Sequence, residues 1–264
     1  ELIYDKDLEE NLKTCSSCGY HFPIAARVRL ASLVDEKSFK EMDAGMSSVD
    51  VLKFTGVASY PSKLERYQKS TGENDAVITG LCKMGPHKVA LGIMDFSFLG
   101  SWMGSVVGEK LTRLIEVGTK KKLPVIIIST SGGARMYEGM FSLMQMAKTC
   151  GALAYHSEAG LPYISVLTHP TTAGVMASYA SVGDLILAEP GAMIGFAGPR
   201  VIKDTTQAEL PPGFQTTEFL LDRGMIDAIV TRNQMRESLI NYLNYLTAGM
   251  TKPKARRAPR KKAS

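Results

Sequence analysis

The 264-residue sequence lacks several features that would assign it to common protein classes. It contains no run of about 18 apolar residues, so a membrane-spanning helix is not indicated. Its first 14 residues are acidic and polar, unlike a signal peptide. The cysteines Cys15, Cys18, Cys82 and Cys150 do not form a dense disulfide framework. We therefore expect a protein of a reducing, intracellular compartment without membrane association.

Common catalytic signatures are also missing. No phosphate-binding G-x-x-x-x-G-K-[ST] loop is present, and no G-x-G-x-x-G follows a predicted strand, so neither a phosphotransferase nor a nicotinamide dehydrogenase is indicated. No G-x-S-x-G sequence surrounds Ser131, which makes it a poor hydrolase nucleophile. The four histidines are scattered. For His169, near the second glycine turn, a structural role is favoured over a place in the site.

Positive charge is concentrated at one end of the chain. The formal net charge is +5, but residues 252–262 read KPKARRAPRKK and hold seven of the 31 basic residues. The remaining 24 face 26 acidic residues, so the body of the chain is close to neutral. We predict that residues 248–264 form a disordered basic tail. Simple solvation is its favoured role, and binding of RNA or an acidic partner is the alternative.

From residue 75 onward the sequence alternates between strand-like and helix-like segments. Predicted strands cover residues 76–84, 88–96, 123–130, 161–167, 184–188, 192–196 and 226–230. Predicted helices cover residues 136–156, 172–181, 216–222 and 233–246. This alternation indicates an α/β domain with largely parallel strands over residues 75–247. Two strands per helix favour a ββα spiral over a doubly wound sheet.

The first 74 residues precede this pattern. Cys15 and Cys18 form a C-x-x-C pair followed by glycine, which resembles a zinc knuckle. A structural zinc site needs four ligands, and His21 is a candidate third, although a packing role is more common. We interpret residues 1–22 as a partial zinc ribbon. Residues 23–74, with helices predicted over 23–35 and 62–70, are interpreted as a helical connector lying over the main domain.

Two predicted strand-to-helix junctions are rich in small residues, Gly132-Gly133 and Ala173-Gly174. The first amides of a helix have no intrahelical partner and lie at its positive end. Such amides bind anions and stabilise oxyanions, and glycine lets a ligand approach them closely. A tight turn alone would explain one such junction, but two in succession favour function. We therefore predict Gly132, Gly133, Ala173 and Gly174 as catalytic residues.

Basic residues follow two glycine-rich turns. Arg135 follows the first junction, and Arg200 ends the sequence GFAGPR, which contains Gly195 and Gly198. We predict these four residues as substrate-binding, because arginine suits a phosphate or carboxylate. Surface solvation explains each arginine equally well.

A separate set of glycines recurs every four residues, at positions 100, 104 and 108. This spacing predicts that the three glycines share one face of a helix. Close packing against a neighbouring element and close approach of a ligand explain the spacing equally well.

Segments along nearly the whole chain closely resemble the carboxyltransferase beta subunit of bacterial and plastid-type acetyl-CoA carboxylase. They read TCSSCGYHF, LVDEKSF, MDFSFLGSWMGSVVGEK, STSGGARMYEG, SLMQMAKT, EAGLPYISVLTHPTTAGV, AEPGAMIGFAGPRVI and LPPGFQTTEFLLDRGMID. They follow one another with few gaps from Glu1 to about Leu246. Only the basic tail lies outside them.

This resemblance implies a fold, a reaction and an assembly. The implied fold is a crotonase-type ββα superhelix with an N-terminal zinc ribbon. The implied reaction moves a carboxyl group from carboxybiotin to acetyl-CoA and forms malonyl-CoA for fatty acid synthesis, with biotin itself as the base. The implied partners are the carboxyltransferase alpha subunit, in an assembly of two alpha and two beta chains, biotin carboxylase and the biotin carboxyl carrier protein. A cytoplasmic or plastid stromal location is expected.

The resemblance also assigns the small-residue turns. Ala173-Gly174 matches the family's oxyanion pair, and Gly132-Gly133 lines the same cleft. The family more usually has Gly-Gly where this chain has Ala173-Gly174, and the alanine methyl group restricts φ and narrows the approach. The family's ribbon has two C-x-x-C pairs, whereas this sequence has one. We expect zinc to be bound by a longer natural protein and to be weakly held or absent in this chain.

Three alternatives stay open at this point. The first is a carboxyltransferase for another short acyl-CoA. The second is a nucleic-acid-binding protein that uses the knuckle and the tail. The third is a crotonase-like hydratase or isomerase, which would need a carboxylate in the cleft, and Glu138 is the nearest candidate.

Overall fold

The computed structural model describes residues 4–207 and 209–249, with the side chains of Pro199 and Arg200 left out. Its helices are α1 (Asp5–Glu10), α2 (Ala26–Leu33), α3 (Tyr60–Thr71), α4 (Ser105–Lys121), α5 (Met140–Glu158), α6 (Ala173–Met176), α7 (Pro199–Thr206), α8 (Thr217–Asp222) and α9 (Met235–Leu246). Its strands are β1 (Lys40–Met42), β2 (Val77–Met84), β3 (His87–Met94), β4 (Val125–Ser131), β5 (Tyr163–Thr172), β6 (Leu185–Ala188), β7 (Ile194–Gly195) and β8 (Ala228–Ile229). Within these ranges, no helix is both long and apolar enough to cross a membrane.

The strands form one eight-stranded mixed sheet. Its order is β1-β2-β3-β4-β5-β6-β8, and β7 pairs with β5 outside this path. The first three strands are antiparallel, and every pairing from β3 onward is parallel. The predicted α/β class with largely parallel strands is therefore confirmed. Because parallel strands end at the same edge of a sheet, the turns that follow β4 and β5 are brought together.

The centre of the sheet is buried on both faces. In β4, Val125 and Ile127 belong to a core cluster with residues of α4. The alternate residues Ile126 and Ile128 belong to a second cluster with residues of α2 and α9. Successive side chains of a strand point to opposite faces, so a strand covered on both sides needs a continuous apolar run. The sequence VIII of β4 meets this requirement.

The connector prediction needs a correction. Residues 40–42 form β1, which pairs antiparallel with β2 in register Lys40↔Leu81. The segment between residues 23 and 74 therefore contributes a strand to the main sheet and does not only lie over it. Residues 250–264, most of the predicted tail, lie outside the described part of the chain.

The two helices predicted after the small-residue turns also differ from expectation. Residues 136–138 form a 3-10 turn, and α5 begins only at Met140, after Gly139 with a φ of 51°. The second helix, α6, has four residues and does not extend over 172–181. The Gly132-Gly133 turn is therefore not a helix start. A turn after a buried strand looks the same in sequence whether or not the helix follows at once.

The prediction that Gly100, Gly104 and Gly108 share one helix face is wrong. Gly100 lies in a 3-10 turn with a φ of 60°, and Gly104 precedes α4. Only Gly108 lies within the helix, where an added Cβ would come 2.2 Å from Gln145 Oε1 of α5. Close packing of α4 against α5 therefore explains Gly108.

Candidate active site

The two small-residue turns are in direct contact at the carboxyl edge of the sheet. Ser131 pairs with Thr171 across β4 and β5. The Thr172 hydroxyl donates to the Ser131 carbonyl at 3.0 Å. A Cβ added to Gly133 would lie 2.7 Å from the Cβ of Ala173. The structure thus brings the two predicted turns together.

Threonine hydroxyls fix the relative position of the two strand ends. Thr168 and Thr171 both donate to the Ser129 carbonyl, at 2.9 and 3.0 Å. Thr130 donates in the opposite direction, to the carbonyl oxygens of His169 and Pro170. These bonds pair buried threonine hydroxyl groups with carbonyl oxygens at the ends of the two strands. They explain why this edge is rich in threonine.

The first turn is tied to residues 100–103 by its backbone. Gly132 donates its amide to the Gly100 carbonyl at 2.9 Å, and Met103 donates to the Gly133 carbonyl at 2.8 Å. The Gly133 amide donates to Ser131 Oγ at 3.0 Å. The two predicted glycine donors are therefore already bonded. In this turn, the N–H of Ala134 is the amide for which the described residues provide no acceptor.

Glycine is required at both positions of the first turn. An added Cβ at Gly132 would lie 2.6 Å from the indole nitrogen of Trp102, which lies beside this residue. Gly133 has a φ of +116°, which side-chain-bearing residues rarely adopt. Close approach of Trp102 and Ala173, rather than helix initiation, explains the pair.

The second turn keeps one free amide. Ala173 has a φ of 51°, and its amide donates to the Phe196 carbonyl at 2.9 Å. Gly174 lies in the first turn of α6, so its amide has no acceptor within that helix. The rest of the described chain provides none either. A Cβ at Gly174 would lie 3.6 Å from that of Ala134, so the two free amides belong to neighbouring residues.

Gly195 borders the second turn through β7. It pairs with Thr172, and an added Cβ would come 2.2 Å from the side-chain nitrogen of Gln215. That nitrogen donates to the Ala197 carbonyl at 2.7 Å. Gly195 is thus explained by close packing against Gln215. Gly198 is extended and directly precedes α7.

Two predicted arginines have different outcomes. Arg200 was predicted to bind substrate, but its side chain lies outside the described part of the structure. Arg135 was expected to contact substrate, but its side chain is 0% exposed. Its guanidinium donates to Asp75 at 2.6 Å and lies 3.3 Å from Glu138. The prediction of a substrate contact by the Arg135 side chain is therefore corrected: the charge faces the interior, where two carboxylates balance it.

Glu138, the candidate base of the hydratase alternative, is buried as well. It accepts from the Tyr60 hydroxyl at 2.5 Å and from the Ser105 amide at 2.6 Å. Its side chain is 2% exposed. A carboxylate with these bonds and no access to the cleft is a structural group in this chain.

The cysteine pair has the local geometry of a knuckle. The Cys18 amide lies 3.4 Å from Cys15 Sγ, and Gly19 donates to the Cys15 carbonyl. His21 is not free to join it. Its Nδ1 bonds the Gly19 carbonyl at 2.8 Å, and its Nε2 accepts from the Arg232 amide at 3.1 Å. Burial lowers the pKa of His21, which keeps the ring neutral.

Zinc therefore has an incomplete ligand set in the described residues. They contain no group of three or more histidine, cysteine, aspartate or glutamate side chains placed to hold a metal ion. Two thiols do not complete a closed tetrahedral site. No catalytic step is assigned to zinc.

His169 has a structural role, as the sequence favoured. Its Nδ1 accepts from the Met193 amide at 3.1 Å, next to the second turn. Burial lowers its pKa. Sequence patterns had not identified Trp102, Asp75, Tyr60 or Gln215, because each reaches the site from a distant segment.

Residues 24–212 match the family described as carboxyl transferase domain. This match covers most of the chain and includes both small-residue turns. The chain therefore belongs to the carboxyl transferase domain family.

A curated relative narrows this class. The acetyl-coenzyme A carboxylase carboxyl transferase subunit beta of Methylacidiphilum infernorum (isolate V4) is 57% identical over 245 residues, covering 93% of this chain and 88% of the relative. The resemblance to these beta subunits, and the prediction of a carboxyltransferase enzyme, are thereby confirmed.

Two solved structures share the fold of this chain. Transcarboxylase 12S, with methylmalonyl-coenzyme A and methylmalonic acid bound, has a TM-score of 0.70 and 24% identity, covering 84% of this chain and 41% of that chain. The Pseudomonas malonate decarboxylase MdcD-MdcE hetero-dimer has a TM-score of 0.65 and 18% identity, covering 84% of this chain and 86% of that chain. At these identities the likeness shows the fold alone, which is crotonase-like.

Proposed function

We propose that this chain provides the acetyl-CoA side of a carboxyltransferase that converts acetyl-CoA to malonyl-CoA. The observation that carries this proposal is the contact between the two turns, which makes neighbours of Ala134 and Gly174, two residues whose amides have no acceptor in the described part of the chain. Two amides at one place are suited to an anionic oxygen. The 57% identical beta subunit supports the choice of acetyl-CoA as the acyl substrate.

In this mechanism the chain stabilises charge and does not move the proton itself. Removal of the α-proton of the acetyl thioester gives an enolate, whose carbon then forms the new bond to carbon dioxide while its oxygen returns to a carbonyl. The Gly174 amide, with that of Ala134, holds the enolate oxygen during these steps. Preorganised amide donors of this kind are worth about 10² to 10³ in rate each. Carboxybiotin, presented by a partner protein, would supply both the carboxyl group and the base.

The four residues predicted as catalytic keep a place in this proposal with divided roles. Gly174 is a donor, and Ala173 sets the direction of the turn that carries it. Gly132 and Gly133 shape the first turn, because an added side chain at either position would collide with Trp102 or Ala173. For CoA contacts we retain Gly195, Gly198 and Arg200, and the Arg135 side chain leaves this set.

A partner subunit is supported by the surface next to the first turn. Five large apolar side chains around the start of α5 are between 48% and 75% exposed: Met136, Met140, Phe141, Leu143 and Met144. Contiguous exposed apolar patches mark interaction sites. We propose that the carboxyltransferase alpha subunit covers this patch and that the biotin carboxyl carrier protein reaches the cleft beside it. The malonate decarboxylase neighbour, a hetero-dimer, is consistent with such a pairing of chains.

Zinc and RNA binding stay proposals of lower rank. Cys15 and Cys18 would supply two ligands, and two more would have to come from outside the described residues. The RNA alternative depends on the tail, most of which also lies outside them. No specific observation favours it over carboxyl transfer.

The direct test mixes the purified chain with a purified alpha subunit and measures malonyl-CoA formation from acetyl-CoA and carboxybiotin. Propionyl-CoA serves as the competing substrate, and each subunit alone is the control. We expect transfer only with both subunits and a preference for acetyl-CoA. Full activity of the isolated chain would overturn the two-subunit proposal, and a preference for propionyl-CoA would overturn the assigned substrate.

A further inference from the structure

A buried ion cluster lies behind the first turn. It joins the guanidinium of Arg135 to Asp75 and Glu138, with the hydroxyl groups of Tyr60 and Ser48 between them. The three charged side chains are at most 2% exposed. Burial alone would raise the pKa of Asp75, but the charge of Arg135 and its hydrogen bonds hold it below the ordinary value. The Asp75 carboxylate is therefore paired with the Arg135 guanidinium, and this pairing holds the cluster together.

The cluster connects three distant segments of the chain. Ser48 and Tyr60 come from the connector, Asp75 precedes β2, and Arg135 and Glu138 follow the first turn. Removing one partner from such a cluster leaves an unbalanced buried charge, which the protein interior tolerates poorly. The geometry of the turn is therefore coupled to residues that lie between 60 and 87 positions before Arg135.

Two bonds transmit this coupling to the turn. Arg135 Nε donates to the Trp102 carbonyl at 3.2 Å, and the Arg135 amide donates to the Met103 carbonyl at 2.9 Å. The indole ring of Trp102 lies beside Gly132, and the Met103 amide donates to the Gly133 carbonyl. Arg135 thus holds the segment against which the turn is packed. Gly104 also packs closely against this cluster, since an added Cβ would lie 2.6 Å from Glu138 and 3.0 Å from Arg135.

We propose that Arg135 is a positioning residue, which places the first turn and the Ala134 amide through Trp102 and Met103 while its own side chain never meets the substrate. The catalytic consequence rests on the proposed function, whereas the positioning itself does not.

Trp102 is the only tryptophan of the chain, so its fluorescence reports on this placement. The measurement needs no partner subunit. The experiment compares acrylamide quenching of its fluorescence in the wild type, in Arg135→Lys and in a matched control, Arg232→Lys. Arg232 is also a buried arginine with carboxylate contacts, to Glu189 at 2.8 and 2.9 Å, but it bonds neither turn. Circular dichroism checks that each variant is folded.

We expect Arg135→Lys to raise the quenching constant of Trp102 by about twofold or more, because local opening exposes the indole. The control should leave it at the wild-type value although it also loses a buried charge contact. Tyr60→Phe, which removes one hydroxyl from the cluster, should give a smaller increase and serves if Arg135→Lys does not fold. Equal quenching in wild type and in both cluster variants would overturn the proposal.

Kinetics in the complex with the alpha subunit give the second readout. Arg135→Lys should lower kcat on the order of 10²-fold, as for a misplaced catalytic group, and leave the KM for acetyl-CoA within about twofold. Equal losses of kcat in Arg135→Lys and Arg232→Lys would mean that Arg135 contributes only to general stability, which would overturn the positioning role. An inactive wild-type complex with altered Trp102 quenching in the variants would instead overturn the proposed function alone.

Discussion

The Gly132-Gly133 turn and the Ala173-Gly174 turn touch each other but are held by different parts of the molecule. The first is bonded to residues 100–103 and backed by the buried Arg135 cluster. The second is bonded to the segment around β7, through Thr171 to the Met193 carbonyl and Ala173 to the Phe196 carbonyl. Each turn supplies a neighbouring amide without an acceptor. The two turns therefore meet at one place, while each is also bonded to a different neighbouring segment.

The contact between the turns is their most sensitive point, and Gly133→Ala should break it. The new Cβ would meet that of Ala173 at 2.7 Å, in a residue with a φ of +116°. We expect a loss of about 1–3 kcal/mol in the free energy of unfolding and little remaining activity. Denaturant unfolding and the carboxyl transfer assay measure the two effects.

A matched control and a rescue variant sharpen this test. Gly151 lies in α5 with no atom within 4 Å of an added Cβ, so Gly151→Ala should be neutral or stabilising. Gly133→Ala combined with Ala173→Gly should recover part of the lost stability, because one of the two clashing methyl groups is gone. Additive effects of the two substitutions would contradict a direct contact.

Ala173→Val should disable the second turn while leaving the first in place. Ala173 has a φ of 51°, where a β-branched residue is strained. We expect kcat to fall on the order of 10²-fold, since the Gly174 donor moves with the turn. Trp102 quenching should stay at the wild-type value. A change in quenching of the size expected for Arg135→Lys would show that the two turns are not independently supported.

Acid should weaken the molecule through the buried ion pairs of Glu189. Burial raises the pKa of Glu189, but its arginine partners Arg29 and Arg232 lower it further, to about 2. Because the folded pKa is depressed, the stabilisation is present above the ordinary value near 4.5 and is lost as the pH falls toward 2. We expect this group to account for about 3 kcal/mol over that interval.

The measurement is the free energy of unfolding of the wild type and of Glu189→Gln. It is made between roughly pH 6 and pH 3, because the Glu189 contribution begins to fall in this range. The variant should be less stable at pH 6 and should lose less stability on acidification. A slope unchanged by the substitution would show that Glu189 does not carry this pH dependence.

The smallest effect is expected for Ala173→Gly. Glycine adopts positive φ without a Cβ penalty, so the substitution should stabilise the protein by up to about 1 kcal/mol and leave transfer within a few-fold of wild type. Thermal unfolding with the activity assay checks both. A large loss of activity would mean that the methyl group itself contributes to the site.

The sequence supported the main features of the fold because they depend on local patterns. The β-branched run of β4 indicates a strand buried on both faces, and it lies in the centre of the sheet. The small residues after β4 and β5 indicated two turns near a ligand, and the two turns meet. Strand β1 escaped prediction because three residues at a sheet edge leave too short a pattern to recognise.

The roles within the site depended on contacts between distant segments. Local pattern placed Gly132, Gly133, Ala173 and Gly174 in turns but could not show that two of their amides are bonded to backbone carbonyls and one to a hydroxyl. The pattern around Arg135 equally allowed a solvated arginine and a ligand contact. A charge is buried only where opposite charges arrive to balance it, and Asp75 comes from 60 residues earlier. Periodicity and turn chemistry are local properties of the chain, whereas the bonding of an amide and the balance of a buried charge are settled when the chain folds together.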